Sequence, residues 1–172
     1  MKKYLLFILC SLFITNAMAF VGFYQTIDDK INKPKSIVAL YEYKNSDGET
    51  RLGGRIIALY NLDTGKISET MLNPKRIAEE VPQKPKMAGL DILWDMERDG
   101  DEYSAGHIMD PKNGNVYRCS IWQDKETPDK LQVRGKIAFL GRTQTWNVFT
   151  KKDLPQELQN IKTTGWTPKL YE

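Results

Sequence analysis

Four sets of side chains in this chain are of types that could do chemistry. The first is His107, the only histidine among 172 residues, three positions before Asp110. An imidazole base needs a nucleophile to serve and a carboxylate to orient it. His107 falls on a strand pattern and Asp110 beyond its end, so the spacing favours a structural hydrogen bond over a catalytic pair. The second is Cys119, which alternates with Tyr117 and Ile121 on an apolar parity and is expected to be a buried, inert thiol rather than a nucleophile. The third is the carboxylate group Asp28, Asp29 and Asp110. These would make an oxygen-ligand cation site only if two loops converged, and their turn positions already give them backbone N–H groups to accept. Asp110-Pro111-Lys112-Asn113-Gly114 lacks the alternating oxygen ligands and closing glutamate of a calcium loop, and is a turn. Neither a metal site nor a cofactor motif is complete.

The fourth set has the chemistry of binding. Arg134 and Arg142 lie near the ends of the last two strand patterns, where they could hold a carboxylate or an anionic head group. The competing role is saturation by acidic neighbours and strand-end carbonyls. Trp94, Tyr103, Trp122 and Trp146 could line a pocket, or simply fill a core of this size. No nucleophile–base set can be assembled, so the expectation is a non-catalytic protein.

The elements that must position these residues are strands. From Glu102 to Phe149 the chain alternates between strand patterns and turn signals: Glu102–Met109, Asn115–Trp122, Lys130–Ile137, and a last strand ending at Phe149. Leu131, Val133, Gly135 and Ile137 share one parity, while Gln132, Arg134 and Lys136 take the other. Before these come Phe20–Ile27, Ser36–Tyr43, Thr50–Tyr60 and Leu90–Met96, the last with Leu90, Ile92, Trp94 and Met96 expected on one face. Asn45-Ser46-Asp47-Gly48 and Asp99-Gly100 are hairpin signals. Gly53-Gly54 inside the third strand marks a bulge or a close strand approach. Residues 61–89 hold three prolines and form either an irregular cover or a short helix beginning at Pro74. Asp153–Gln159 is expected to form a helical turn or two, followed by a surface tail anchored by Trp166.

The first nineteen residues carry the pattern of an export signal: Lys2 and Lys3, an apolar run from Tyr4 to Ile14, and Ala17-Met18-Ala19 before the cut. Residues 1–19 are therefore expected to be removed, leaving one barrel domain over 20–152 and a C-terminal tail over 153–172. Removing Lys2 and Lys3 leaves 23 basic against 22 acidic residues. A charge so near neutral, with no basic block, argues against nucleic acid as a partner. The expected location is the periplasm or the outside of the cell, with no stable membrane span after processing. Cys119 alone survives the cut, so no intramolecular disulfide forms and stability must come from packing.

Eight strands joined largely by hairpins are most economically arranged as an antiparallel up-and-down β-barrel, because closure removes both edges. A β-sandwich meets the same periodicity. The chain resembles the DUF2147 family of small exported bacterial proteins in Gly22-Phe-Tyr-Gln-Thr-Ile-Asp-Asp29, Lys33-Pro-Lys-Ser-Ile-Val38, Gly54-Arg-Ile56 and Gly89-Leu-Asp-Ile-Leu-Trp94. Gly106-His-Ile-Met-Asp-Pro-Lys-Asn-Gly-Asn-Val-Tyr117, Val133-Arg-Gly135 and Gly141-Arg-Thr-Gln-Thr-Trp146 complete the resemblance. It implies a calycin-like, lipocalin-type barrel and carries no established activity. Many relatives have two cysteines between the third and fourth strands, where this chain has Lys84, Pro85 and polar neighbours. Relatives also often place Trp where Tyr24 stands. The resemblance implies that Tyr24 meets Arg142 at a closed barrel end, the guanidinium covering the ring.

The functional expectation is an envelope protein that binds a small apolar or amphipathic molecule. The candidate ligand-binding residues are Tyr24, Trp94, Tyr103, Trp122, Arg134, Arg142 and Trp146. The alternatives are a non-catalytic module contacting another protein or the cell wall, and, third, an envelope enzyme. An eight-stranded barrel is just wide enough to be filled by side chains or to hold one small ligand.

Overall fold

The computed structural model describes residues 20–138 and 140–171; the export signal read over residues 1–19 lies outside them. Nine strands follow in order: β1 (Gly22–Asp28), β2 (Lys33–Lys44), β3 (Thr50–Tyr60), β4 (Ile67–Thr70), β5 (Asp91–Asp99), β6 (Glu102–Met109), β7 (Val116–Gln123), β8 (Lys130–Ile137) and β9 (Leu140–Phe149). All pairings are antiparallel. Eight of the strands form a closed ring, in the order β1-β2-β3-β5-β6-β7-β8-β9 and back to β1. Closure rests on Phe23 opposite Phe149, Tyr24 opposite Val148 and Gln25 opposite Asn147. The architecture is thus an eight-stranded antiparallel barrel of calycin or lipocalin type rather than a sandwich.

β4 is the strand that periodicity does not reveal. It is four residues long and lies beside the last turn of β3, with Ala58 opposite Thr70 and Leu59 opposite Glu69. β3 therefore has two successive neighbours on one side: Leu52 to Arg55 pair with β5, and Ala58 to Tyr60 pair with β4. The helix allowed for at Pro74 does not form. Arg76 gives its carbonyl to Met87 and Ala78 its N–H to Pro85 (both 2.9 Å), so these groups serve a loose hairpin instead of a helical turn. The buried Glu69 carboxylate takes the N–H groups of Lys75 and Arg76 at 2.6 and 2.9 Å and fixes where that hairpin starts.

Strand parity holds through β7 and β8 but breaks in β5. The β3–β5 register advances three residues on β5 (Leu93 to Met96) for two on β3, then two (Asp91 to Leu93) for one. Asp95, at φ 53°, sits in the first of these bulges. Trp94 consequently leaves the face shared by Ile92 and Met96 and stacks on His107 of β6, while Leu93 turns into the core. Two glycines make the inward packing there feasible. A Cβ on Gly54 would stand 2.8 Å from Leu40 and 3.0 Å from Leu93, and one on Gly106 would stand 2.7 Å from the Met96 backbone.

Two apolar clusters result. Inside the ring lie Phe20, Tyr24, Leu40, Leu52, Met96, Tyr103, Ile121, Leu131 and Trp146, among others. On the outside of β2 and β3, Ile37, Ala39 and Ile57 are covered by Leu154, Leu158 and the half-buried Ile161 and Trp166 of the C-terminal segment. That segment makes two short 3-10 turns, Lys151–Asp153 and Gln156–Leu158, and is held by more than Trp166. Asp91, 1% exposed, accepts from Tyr41 Oη (2.6 Å), Arg55 Nε (2.9 Å), Arg55 Nη2 (2.8 Å) and the backbone N–H of Lys169 (2.8 Å). The Arg55 guanidinium also lies 4.5 Å from the Trp166 ring centre and 5.7 Å from that of Tyr41.

Removing one partner of a buried pair leaves the other charge uncompensated. Asp91→Ala is expected to cost about 3 kcal/mol or more in urea denaturation and to expose the C-terminal segment to limited proteolysis. Asp29→Ala, which breaks a much more exposed pair with Arg142, should cost at most about 1 kcal/mol.

Candidate functional site

The two ends of the barrel are packed differently. At the end where the 45–49, 99–101 and 124–129 turns lie, Phe20 meets Tyr103 edge-on with ring centres 5.2 Å apart. The Tyr24 hydroxyl donates to the Phe20 carbonyl at 3.0 Å, and that of Tyr103 to Glu42 at 3.1 Å. Burial pushes the Tyr24 phenol up to about 12, so it stays a donor at any ordinary pH. These rings and the aliphatic side chains between them close that end.

The other end is hollow. A cavity of about 330 Å³ runs from the turns after β1, β3 and β6 down to Trp146. Its wall is apolar, with Ile56, Leu59, Met87, Ile92, Ile108 and Val133. It is widened at Gly135, where an added Cβ would only just touch Ile108 (3.4 Å) and Tyr117 (3.5 Å). Large inward residues fill the closed half; Gly135, Thr26 and Ser36 leave space in this half. Thr26 and Ser36 are both buried and pair their hydroxyls at 2.6 Å.

Charge is concentrated at the mouth. Lys35, Arg76, Lys112 and Arg142 all line the cavity, with Asp110 among them. Three of the four cations have a carboxylate: Arg76 has Glu69, Lys112 has Asp28 at 3.5 Å, and Arg142 has Asp29, which also accepts from Gln144 at 3.0 Å. Asp28 is held below the ordinary carboxylate range, first by the Lys30 N–H and then, against the opposing effect of burial, by Lys112. Lys35 has no such ion pair among the described residues. Burial, and next the Lys112 ammonium, pull its pKa below that of an ordinary lysine, against a smaller pull from Asp110 and Asp28.

A local irregularity aims Lys35 into this position. β1 and β2 pair Thr26 with Ser36 but Ile27 with Pro34, so Lys35 is an extra residue on β2. Strict alternation would set it on the outer face with Ile37; the bulge lets it line the mouth beside Ser36. Pro34, which has no N–H for the ladder, is the sequence signal that marks the spot.

Of the seven candidates read from the sequence, only Arg142 and Trp146 line the cavity. Tyr24 and Tyr103 belong to the plug at the closed end. Trp94 stacks on His107 outside the barrel, with ring centres 5.5 Å apart. Trp122 and Arg134 share the outward parity, and Arg134 lies across Gly141. The expected contact between Tyr24 and Arg142 is not made. Tyr24 faces Val148 in the β1–β9 register, and Arg142, at the open rim, is taken by Asp29. An arginine does cover an aromatic ring in this fold, but it is Arg55 on Trp166, outside the barrel. His107 and Asp110 do not converge, because the Asp110 carboxylate caps its own turn through the Lys112 N–H at 2.9 Å. Cys119 is buried and its thiol is pushed up to about 12.

The model of a family described as "Uncharacterized protein conserved in bacteria (DUF2147)" matches residues 22–148. Among solved structures, protein HP1028 from the human pathogen Helicobacter pylori, described as belonging to the lipocalin family, matches with a TM-score of 0.58. The two are 18% identical, over 85% of this chain and 92% of that one. At that identity the likeness is one of fold. No curated protein matches the chain.

An ammonium half-buried beside other cations, with no counter-ion in contact, costs stability. Lys35→Met is expected to stabilise the empty protein at neutral pH, by about 0.5–2 kcal/mol. The difference should shrink as pH rises through the lowered Lys35 pKa, because there the unfolded wild type binds more protons than the folded one and wild-type stability climbs. Paired thermal melts of wild type and variant across that range check both sign and window.

Proposed function

The chain belongs to the DUF2147 family, whose match spans almost the whole ring of strands, and from that premise we propose that it is a non-catalytic binding protein that takes one small apolar or amphipathic molecule into its barrel. The observation that carries this reading is the half-filled interior: a cavity of about 330 Å³ with apolar walls and a polar, charged mouth. Pockets that bury small ligands have this character, and begin at roughly this size. The fold alone would not suffice, since barrels of this kind serve many ends. The proposed setting is the bacterial envelope, reached through the export signal at residues 1–19, with the small molecule as partner and no nucleic acid.

A contact module built on the 61–89 connection is less well supported. Ala78, Val81 and Ala88 of that connection are buried in the interior cluster and serve the barrel itself, which leaves Leu72 and Ile77 as its exposed large apolar side chains.

Two measurements test the proposal. Native mass spectrometry of protein purified from its own envelope, followed by extraction, should find a bound small molecule. Gly135→Leu should abolish it, because the new side chain projects into the cavity and fills it, whereas Gly135→Ala should retain it. Protein that is reproducibly empty, and binds no environment-sensitive naphthylamine probe, would sink the binding reading. For the setting, N-terminal sequencing of the exported protein should begin at Phe20; an intact Met1 would overturn the processing step.

A further inference from the structure

Resting on the reading that the cavity holds an amphipathic molecule, we infer that the ligand is a single-chain monoanion of the carboxylate class and that Lys35 is the residue that takes its head. The four cations lining the mouth are not equivalent. Arg76, Lys112 and Arg142 are each occupied by a carboxylate of the protein, Glu69, Asp28 and Asp29 respectively. Lys35 lines the same mouth and has no ion pair among the described residues. An ammonium in that position keeps donors to give, and a ligand carboxylate supplies the charge the protein withholds.

The neighbours of Lys35 favour a head with oxygen acceptors. Ser36, next in the chain, and Thr26 across the ladder are buried cavity-lining hydroxyls 2.6 Å apart. Whichever one donates to the other, the second keeps its own proton. If Ser36 donates, the Thr26 proton has only the Ser36 carbonyl at 3.5 Å, a long and weak arrangement; if Thr26 donates, the Ser36 proton has no acceptor among the described residues. A ligand oxygen held by Lys35 offers that proton a better partner. Below this polar patch the wall is apolar down to Trp146, which suits an alkyl chain. The volume sits near the lower limit for ligand pockets of roughly 300 Å³, which suits one chain rather than two.

Asp110 is the competing group. Its carboxylate lines the same mouth and attracts Lys35, but it makes no ion pair with Lys35 in this structure. A carboxylate head must therefore displace a longer-range attraction, not a formed contact. Removing the Asp110 charge should strengthen binding of an anion. Asp110→Asn keeps the side-chain oxygen that caps the turn through the Lys112 N–H, which makes it a clean way to remove the charge.

The test is displacement of a naphthylamine probe from the purified, processed protein by decanoate, decanol and decyltrimethylammonium. Wild type, Lys35→Met, Lys35→Arg and Asp110→Asn are compared, each first checked for a cooperative melt. The expected result is decanoate binding at least tenfold more tightly than decanol, with the cation weakest. Lys35→Met should bring the decanoate-to-decanol ratio close to one, Lys35→Arg should restore most of it, and Asp110→Asn should raise it above wild type. Equal affinity for decanoate and decanol in wild type, or a ratio that Lys35→Met does not change, overturns the inference while leaving the binding reading intact. Failure of all three compounds to displace a bound probe overturns the inference alone, and a protein that is empty as purified and binds no probe overturns both.

Discussion

One buried carboxylate ties the wall of this barrel together where β3 changes neighbours. Asp91 stands opposite Arg55 at the place where β3 changes neighbours, leaving β5 for β4. Backbone bonds carry β3 across the change, from the Ile56 N–H to the Leu90 carbonyl and from the Gly89 and Met71 N–H groups to the Ile56 and Ile57 carbonyls. Four donors meet on Asp91 beside it. They come from β2 through Tyr41, from β3 through Arg55, and from the C-terminal segment through the Lys169 N–H. A buried ion pair is weak evidence for stability when its lone pairs go unmet. Here they are met, and the same carboxylate that fixes the β3–β5 register also pins the segment whose Leu154, Leu158 and Trp166 cover the outside of β2 and β3.

With the wall fixed, the distribution of large and small inward residues decides where space remains. Tyr24, Leu52, Met96, Tyr103 and Ile121 are too bulky to leave room across a ring of eight strands, so that end is solid. Towards the mouth the inward positions include Thr26, Ser36 and Gly135, which are small, and the void they leave is lined by the rims of larger neighbours. The cavity is thus a consequence of which half of each strand carries the aromatic residues. Its polar mouth follows from the turns that happen to meet there.

Much of this was legible in the sequence. Turn chemistry at Asn45–Gly48 and Asp99-Gly100 and alternation through Tyr117, Cys119 and Ile121 gave the ring, and Gly54 announced a close strand approach. The site was less legible, for a physical reason. Alternation assigns a face only while the ladder is regular, and both residues whose faces matter most here lie at bulges. One bulge sends Trp94 outward to His107; another brings Lys35 inward. Arg134 could be placed on the outward parity from Val133 and Gly135 alone, and its candidacy for the mouth ran against that pattern. β4 escaped because four residues with one apolar member carry no periodicity, and their place depends on β3 having a free flank. Arg142 and Trp146 were found because β9 is regular between them.

The seam that closes the ring is a part of the wall with few strand pairs. β1 and β9 share only three register pairs, all in the half of β1 away from the mouth. From Thr26 onward β1 pairs with β2 alone, while β9 from Leu140 to Trp146 pairs with β8 alone. The gap is bridged by Asp29, through Arg142 and Gln144. Arg142 is 66% exposed along its side chain, and an ion pair so open to water contributes on the order of 0–1 kcal/mol. No backbone hydrogen bond need break for the two strands to part there, whereas β1 and β2, β6 and β7, β7 and β8, and β8 and β9 are paired up to the mouth and could part only by breaking those pairs. The mouth can therefore widen at the seam at little cost. The seam lies beside Thr26, one strand away from Lys35, so this loosely paired part of the wall and the unpaired lysine stand on the same side of the barrel.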